Sequence, residues 1–180
     1  MGEKTLLPYI LDRKITKIDY VMISHFDADH VDGVLYILEH IEVKNVIIGK
    51  QGKVCENYER FKQLVTEKNI SVMLVKQGDR LEIDRFIYFD ILFPSDKLET
   101  DNILNNNSIV AKLNYNDFSC IFTGDIEELA EKKLIENYKN TDLLKSDILK
   151  VVHHRFKNLF YTRFLTISLS KNCTYWSRRE

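Results

Sequence analysis

Long apolar runs are missing from this chain. Nothing in it approaches the ~18–20 consecutive apolar residues of a membrane-spanning helix. Its start, Met1-Gly2-Glu3-Lys4-Thr5-Leu6-Leu7-Pro8, lacks the apolar core of a secretory signal. The expectation is therefore a soluble, cytoplasmic protein with no membrane segment. Cysteine is scarce. Cys55, Cys120 and Cys173 are odd in number, widely spaced and without any C-x-x-C pair, which argues against a disulfide framework or a zinc knuckle and suits buried thiols in a reducing compartment. Charge of one sign is not in excess either: 26 Lys+Arg stand against 27 Asp+Glu, a formal net charge of -1, so strong whole-chain attraction to nucleic acid or anionic lipid is not expected. No repeat and no linker interrupts the 180 residues, and 44% hydrophobic composition suffices for one core. Residues 1–180 read as a single domain.

Apolar periodicity gives the outline. Val21 to Ile23, Val43 to Gly49 and Ser71 to Val75 read as short strands, separated by helical patterns around Val34 to Leu38 and from Asn57 to Lys68. Strands alternating with helices imply parallel pairing in an α/β layer arrangement. The second half is richer in strands: Phe86 to Phe93, Ile109 to Tyr115 and Phe118 to Thr123, the last two joined by an Asn116-Asp117 turn into a hairpin. Glu127 to Tyr138 reads as a surface helix and Ile148 to Val152 as a final strand. Asp96 to Asn107 reads as a polar loop. Beyond residue 155 the periodicity is weak, with a short helix expected only around Phe160 to Leu169.

Against this background the run Ser24-His25-Phe26-Asp27-Ala28-Asp29-His30-Val31-Asp32-Gly33 stands out. Two histidines and three aspartates lie within eight residues, directly after a strand, where a loop is expected. Folding a sheet needs no such density of polar groups, whereas imidazole and carboxylate are the ligands of catalytic divalent metals. Two further ligand clusters follow strands in the same way, Gly124-Asp125 and His153-His154. Strand ends in a layered α/β fold share one rim, so the three clusters can meet in space.

The spacing suits two ions. His25 and Asp27, two apart, would serve the first; Asp29 and His30 would serve the second; Asp125 would bridge them, and one histidine of the late pair would complete the second site. Two divalent ions roughly 3.5–4 Å apart activate water as a hydroxide nucleophile and stabilise a displaced oxygen. The chemistry implied is hydrolysis of a phosphoester, amide or thioester. Taken alone, Asp125 would be a turn or helix-capping aspartate and His153-His154 a surface pair. His40 is read as structural.

The run from His25 to His30 resembles the H-x-H-x-D-H signature of the metallo-β-lactamase superfamily, with Asp27 in place of the second histidine. Within that superfamily it is similar to the C-terminal hydrolase domain of ComEC-type DNA-uptake (competence) proteins and their soluble relatives. The same order of segments continues with Asn106-Asn107-Ser108-Ile109-Val110, Phe122-Thr123-Gly124-Asp125 and Asp147-Ile148-Leu149-Lys150-Val151-Val152-His153-His154, over about residues 8–158.

The resemblance implies a mixed α/β (α+β) fold, a four-layer αββα sandwich with metals at one edge of its two sheets. It implies His25, Asp27, Asp29, His30, Asp125 and His154 as metal ligands, with His153 as a substrate-facing or supporting acid and Asp29 as a second catalytic residue. The order of His153 and His154 stays open. Asn107, Ser108 and Arg155 are weaker candidates for lining the substrate. The cofactor implied is a pair of divalent ions, Zn or Mn; a carboxylate at position 27 shifts the balance towards the harder Mn²⁺. The substrate class implied is a phosphoester, with DNA as one case, and membership of a competence system would place the chain outside the cytoplasm or at a membrane.

Three departures qualify this pattern. Family domains begin with further strands before the segment matching Leu7 to Tyr20, so one sheet is expected to be short and its edge open to self-association. Arg155-Phe156 stand where the family has Gly-Ser. The tail, residues 155–180, lacks the expected closing strand and helix, so the sandwich is expected to be incomplete at both chain ends. A truncated relative that binds metal or a partner without turnover is the alternative to an active hydrolase.

Overall fold

The computed structural model describes residues 2–150 and, as backbone, the strand Leu169–Trp176. A π-helical turn at Gly2–Leu6 leads into a short helix α1, Leu7–Asp12. Then β1 (Lys17–Ile23), α2 (Ala28–His40), β2 (Glu42–Gly49), α3 (Glu56–Glu67) and β3 (Ser71–Val75) alternate. The three strands form one parallel sheet in the order β1-β2-β3, with Ile23 opposite Ile48 and Gly49 opposite Val75. Parallel neighbours need crossover connections, and α2 and α3 supply them.

The second sheet has six strands: β4 (Arg80–Asp84), β5 (Ile87–Phe93), β6 (Val110–Tyr115), β7 (Phe118–Phe122), β8 (Ser146–Lys150) and β9 (Leu169–Trp176), adjacent in chain order. The first four form an antiparallel meander, and β7, β8 and β9 run parallel. The β6–β7 hairpin turns at Asn116, whose φ of 49° is one that asparagine tolerates better than most residues. Helix α4, Glu128–Tyr138, links β7 to β8.

Three apolar layers hold these parts together. Val31, Leu35 and Leu38 on α2, with Phe61, Leu64 and Val65 on α3, pack on Val46 and Ile48 of the first sheet. Ile47 and Val75 of that sheet meet Ile91, Ile109 and Ala111 of the second. Leu92, Val110, Ile121 and Leu149 on the far face of the second sheet receive Ala130, Leu134 and Ile135 of α4. The order is helix, sheet, sheet, helix: an αββα sandwich.

The structure departs from the sequence reading in three places. The ligand-rich run is only half loop, because α2 begins at Ala28 and takes Asp29 and His30 into its first turn. Asp27 is extended (φ -70°, ψ 144°), and its carbonyl accepts the first helical bonds from the N–H groups of His30 and Val31, both at 3.0 Å. Strand β4 was not anticipated. Its Arg-Leu-Glu-Ile-Asp pattern is mostly exposed, so an edge strand of this kind carries little apolar signal. Strand β9 lies in the tail, where the sequence predicts no closing strand. Ser170, Lys171 and Asn172 break its apolar pattern, and its place comes from backbone pairing with β8. The expected helix around Phe160 lies outside the described residues, as do Val151 and Val152.

The two sheets are unequal. Among the described residues three strands face six, and Phe118 and Phe122 on β7 stay 40% and 38% exposed on the inward-facing side. Among the described residues, no helix is long and apolar enough to cross a membrane.

Candidate metal centre

Phe26 sets up the site. It is 1% exposed and packs edge-on against Tyr58 (ring centroids 5.0 Å) and beside Phe61 (5.2 Å), under α3. Its carbonyl accepts a bond from Asn57 Nδ2 at 3.2 Å. Residues on either side of an extended residue point the other way. Anchoring Phe26 in the core therefore turns His25 and Asp27 towards the rim between the sheets. The Ser24 hydroxyl lies 3.1 Å from His25 Nδ1, which leaves Nε2 aimed at the cluster. The Ser24 carbonyl accepts a 2.9 Å bond from the Ile109 N–H, tying the end of β1 to the start of β6 across the two sheets.

Asp125 arrives from the other sheet. Thr123 donates from its backbone N–H (3.3 Å) and its hydroxyl (3.1 Å) to the Lys150 carbonyl, clamping the ends of β7 and β8 together. Gly124 then turns with φ 55°, a left-handed conformation that glycine accepts without strain. The Asp125 N–H donates to Ser108 Oγ at 3.3 Å. Asn106, fully buried, accepts from the Glu127 N–H at 2.9 Å and so fixes the entry to α4.

These constraints bring residues from two sheets together. One ligand atom from each of His25, His30 and Asp125 lies within 4.8 Å of the others. His30 Nε2 is 3.0 Å from Asp125 Oδ2, and the two imidazole rings are tilted at 47° with centroids 4.3 Å apart. His25 and Asp125 are each 2% exposed. Asp27 and Asp29 stand at the rim: Asp27 Oδ2 is 3.8 Å from His25 Nε2, and Asp29 Oδ2 is 3.8 Å from His30 Nε2. Burial first, and the neighbouring Asp29 carboxylate second, hold the Asp27 carboxyl above the usual carboxylate range. Three carboxylates and two imidazoles crowded at a protein rim form a donor set of nitrogen and oxygen that suits zinc or manganese. The residues fit a divalent metal.

Of the other residues singled out in the sequence, Asn107 is buried and spends its side chain on its own loop. Its Oδ1 accepts from the Glu99 N–H at 2.8 Å, and its Nδ2 donates to the carbonyls of Glu99 (3.0 Å) and Ile103 (2.7 Å). Ser108 is buried and supports Asp125. His153, His154 and Arg155 lie outside the described residues. His40 stacks on Tyr36, and its Nδ1 lies 2.8 Å from the Tyr36 carbonyl, away from the cluster. Sequence reasoning missed Phe26 as the residue that aims the ligands; its only signal was an aromatic between two ligand-type residues. Ser24 and Thr123 stand inside the motif segments, but nothing in the sequence shows their supporting roles, because a hydroxyl beside a strand end is common.

The family model of the metallo-beta-lactamase superfamily matches residues 1–168. The chain belongs to the metallo-beta-lactamase superfamily. Its kinship within it is of the ComEC type: it is 32% identical to ComE operon protein 3 of Bacillus subtilis (strain 168) over 97% of its own length. The chain spans 23% of that relative's length. Among solved structures, CmlA, a diiron beta-hydroxylase from Streptomyces venezuelae, superposes with a TM-score of 0.50 at 17% identity, covering 76% of this chain and 25% of that one. That likeness is one of fold. A metallo-beta-lactamase fold with ligand-type residues at the joint edge of its sheets is what the element order and the His25–His30–Asp125 cluster describe.

Proposed function

We propose that this chain is a metal-dependent hydrolase of phosphodiesters, with DNA as one candidate substrate. The observation that carries the reading is the convergence of His25 and His30, from the corner between β1 and α2, with Asp125 from the end of β7, flanked by Asp27 and Asp29. His25 and Asp27 would hold one ion and Asp29 and His30 a second, with Asp125 placed to reach both. Of the late pair, His154 is proposed as a further ligand and His153 as a group facing the substrate. Divalent ions supply positive charge and bring the pKa of water towards ~7. The chain's own residues do the rest. Phe26 and the Ser24 hydroxyl orient His25, and Ser108 holds Asp125 at the rim. Asp29, half exposed at that rim, is the carboxylate nearest to incoming substrate on the His30 side and is proposed to take part in catalysis.

The anionic character of the cluster supports a phosphoester over a neutral amide. Three aspartates favour harder cations, which are suited to phosphoryl oxygens. The kinship to a competence-operon protein supports a nucleic-acid substrate. Purified chain supplied with Mn²⁺ or Zn²⁺ should cleave bis(p-nitrophenyl) phosphate or single-stranded DNA, and Asp29→Asn should abolish that cleavage. Undiminished activity in Asp29→Asn would remove the assignment. Two bound ions per chain with no hydrolysis across esters, amides and thioesters would instead favour the reading of a metal-binding relative without turnover.

A further inference from the structure

A cavity of about 320 Å³ opens beside the metal cluster, between the edge of β1 and the inner face of the six-stranded sheet. Ser24 and His30 form its end at the cluster, Met22 one wall, and Phe89, Phe122 and Lys150 line it from the second sheet. Two of its features are unusual for space left between sheets. Its aromatic floor is accessible, with Phe122 38% exposed. It also contains a lysine. Lys150 stands opposite Phe122 in the β7–β8 register, and the residue before it, Leu149, points to the other face and is fully buried under α4. The alternation of the strand thus turns the Lys150 side chain into the cavity. No carboxylate among the described residues pairs with it. A half-buried lysine lining one cavity with two aromatic rings and an imidazole calls for an anion.

Size narrows the occupant. About 320 Å³ is at the small end of small-molecule pockets. It admits one ring with an attached group, and not a folded partner. An aromatic floor with one cation beside it is the chemistry that receives a base and its phosphate in single-strand recognition.

We propose that this cavity is the substrate's ring subsite. One aromatic ring, such as a nucleobase or aryl group, packs on Phe122 and Phe89, and Lys150 holds an oxygen of the adjoining phosphate. The proposal rests on the phosphodiesterase reading above. It makes Phe122 and Lys150 the residues that set preference for substrates with a planar ring next to the phosphate.

Binding to the Zn²⁺-loaded full chain tests this without turnover, using thymidine 5′-monophosphate, thymidine and inorganic phosphate as probes in calorimetry or ligand-observed NMR. Lys150→Met should weaken thymidine monophosphate about tenfold while leaving thymidine unchanged, and Lys150→Arg should restore the lost affinity. Phe122→Leu, which keeps apolar volume without the ring, should weaken thymidine and its monophosphate about tenfold and leave inorganic phosphate unchanged. Unchanged monophosphate binding in both variants, or equal loss of all three probes, overturns the subsite. So does a stable dimer that Phe122→Leu dissociates, since the surface would then be a contact between copies. If the pattern holds while Asp29→Asn and the parent are equally inactive on every ester, the subsite stands and the hydrolase reading fails. If Asp29→Asn alone loses hydrolysis and the probes ignore Phe122 and Lys150, the reverse is true.

Discussion

A Cβ placed on Gly124 would stand 2.6 Å from the Cβ of Ser108. Gly124 also has φ 55°, so sterics and backbone conformation both demand glycine one residue before Asp125. Gly124→Ala should destabilise the fold by at least ~1–3 kcal/mol from the strained conformation alone, and should weaken metal uptake by displacing Asp125. Adding Ser108→Gly removes the clash but not the φ strain. Chemical denaturation of the two single variants and the double should therefore show a favourable coupling that recovers only part of the loss.

Phe26→Ala should cost about 3–5 kcal/mol, as expected for a buried aromatic whose space cannot close. The loss should extend to metal affinity, because Phe26 is what turns His25 and Asp27 outward. Phe26→Leu should fold better yet still bind metal more weakly than the parent. Urea melts and metal titration of the same samples check both halves. A Phe26→Ala chain that is destabilised but titrates metal normally would separate packing from ligand aim.

Metal removal should lower thermal stability. A ligand at about 100 times its Kd stabilises the native state by roughly 2.7 kcal/mol, if the unfolded chain does not bind it. Melting curves with Zn²⁺ or Mn²⁺ and with chelator should differ by several degrees. In Asp125→Ala the difference should shrink to near nothing, since Asp125 is the proposed ligand to both ions and, among the described residues, the ligand-type side chain that the second sheet brings to the cluster.

The Asp27 carboxyl gives a dependence on pH in the metal-free chain. Its folded pKa is raised by burial and by Asp29, so the folded state binds this proton more tightly than the unfolded state does. Ionised Asp27 therefore destabilises the fold, with the penalty fully present above the raised folded pKa and absent below the unfolded value of about 3.9. Under chelator at pH 7, Asp27→Asn should melt above the parent, and the gap should close as the pH falls below that value. Adding divalent metal should reverse the order, because the cation favours the carboxylate. Equal melting temperatures at every pH would refute the electrostatic account.

Much of the fold is readable from apolar spacing. The strand at Val43 to Gly49 and the helix over Asn57 to Lys68 have an apolar face that burial enforces, whereas Ser71 to Val75 was legible from its run of apolar residues although only Val75 of it is buried. The elements that were missed, β4 and β9, take their places through backbone pairing at or near the sheet margin, where side chains need not be apolar. The start of α2 was misplaced for a related reason. Helix initiation at Ala28 depends on the extended Asp27 preceding it, and Asp27 sits there because Phe26 is held under α3.

The sequence by itself determined which chemistry is on offer, because ligand identity is a property of residue type. Two imidazoles and three carboxylates in one short run, and a Gly-Asp after a later strand, supply the ligand types of a divalent-metal site. Only the tertiary structure decided how those groups meet. His30 and Asp125 are far apart in the chain and 3.0 Å apart in space, a distance set by the Ser24–Ile109 bond between sheets, the Thr123–Lys150 clamp and the tight Gly124–Ser108 contact. The structure alone also revealed the cavity holding Phe122 and Lys150. A strand's alternation shows that two residues face opposite sides, but which side carries a cavity depends on how many strands the opposing sheet supplies to cover it.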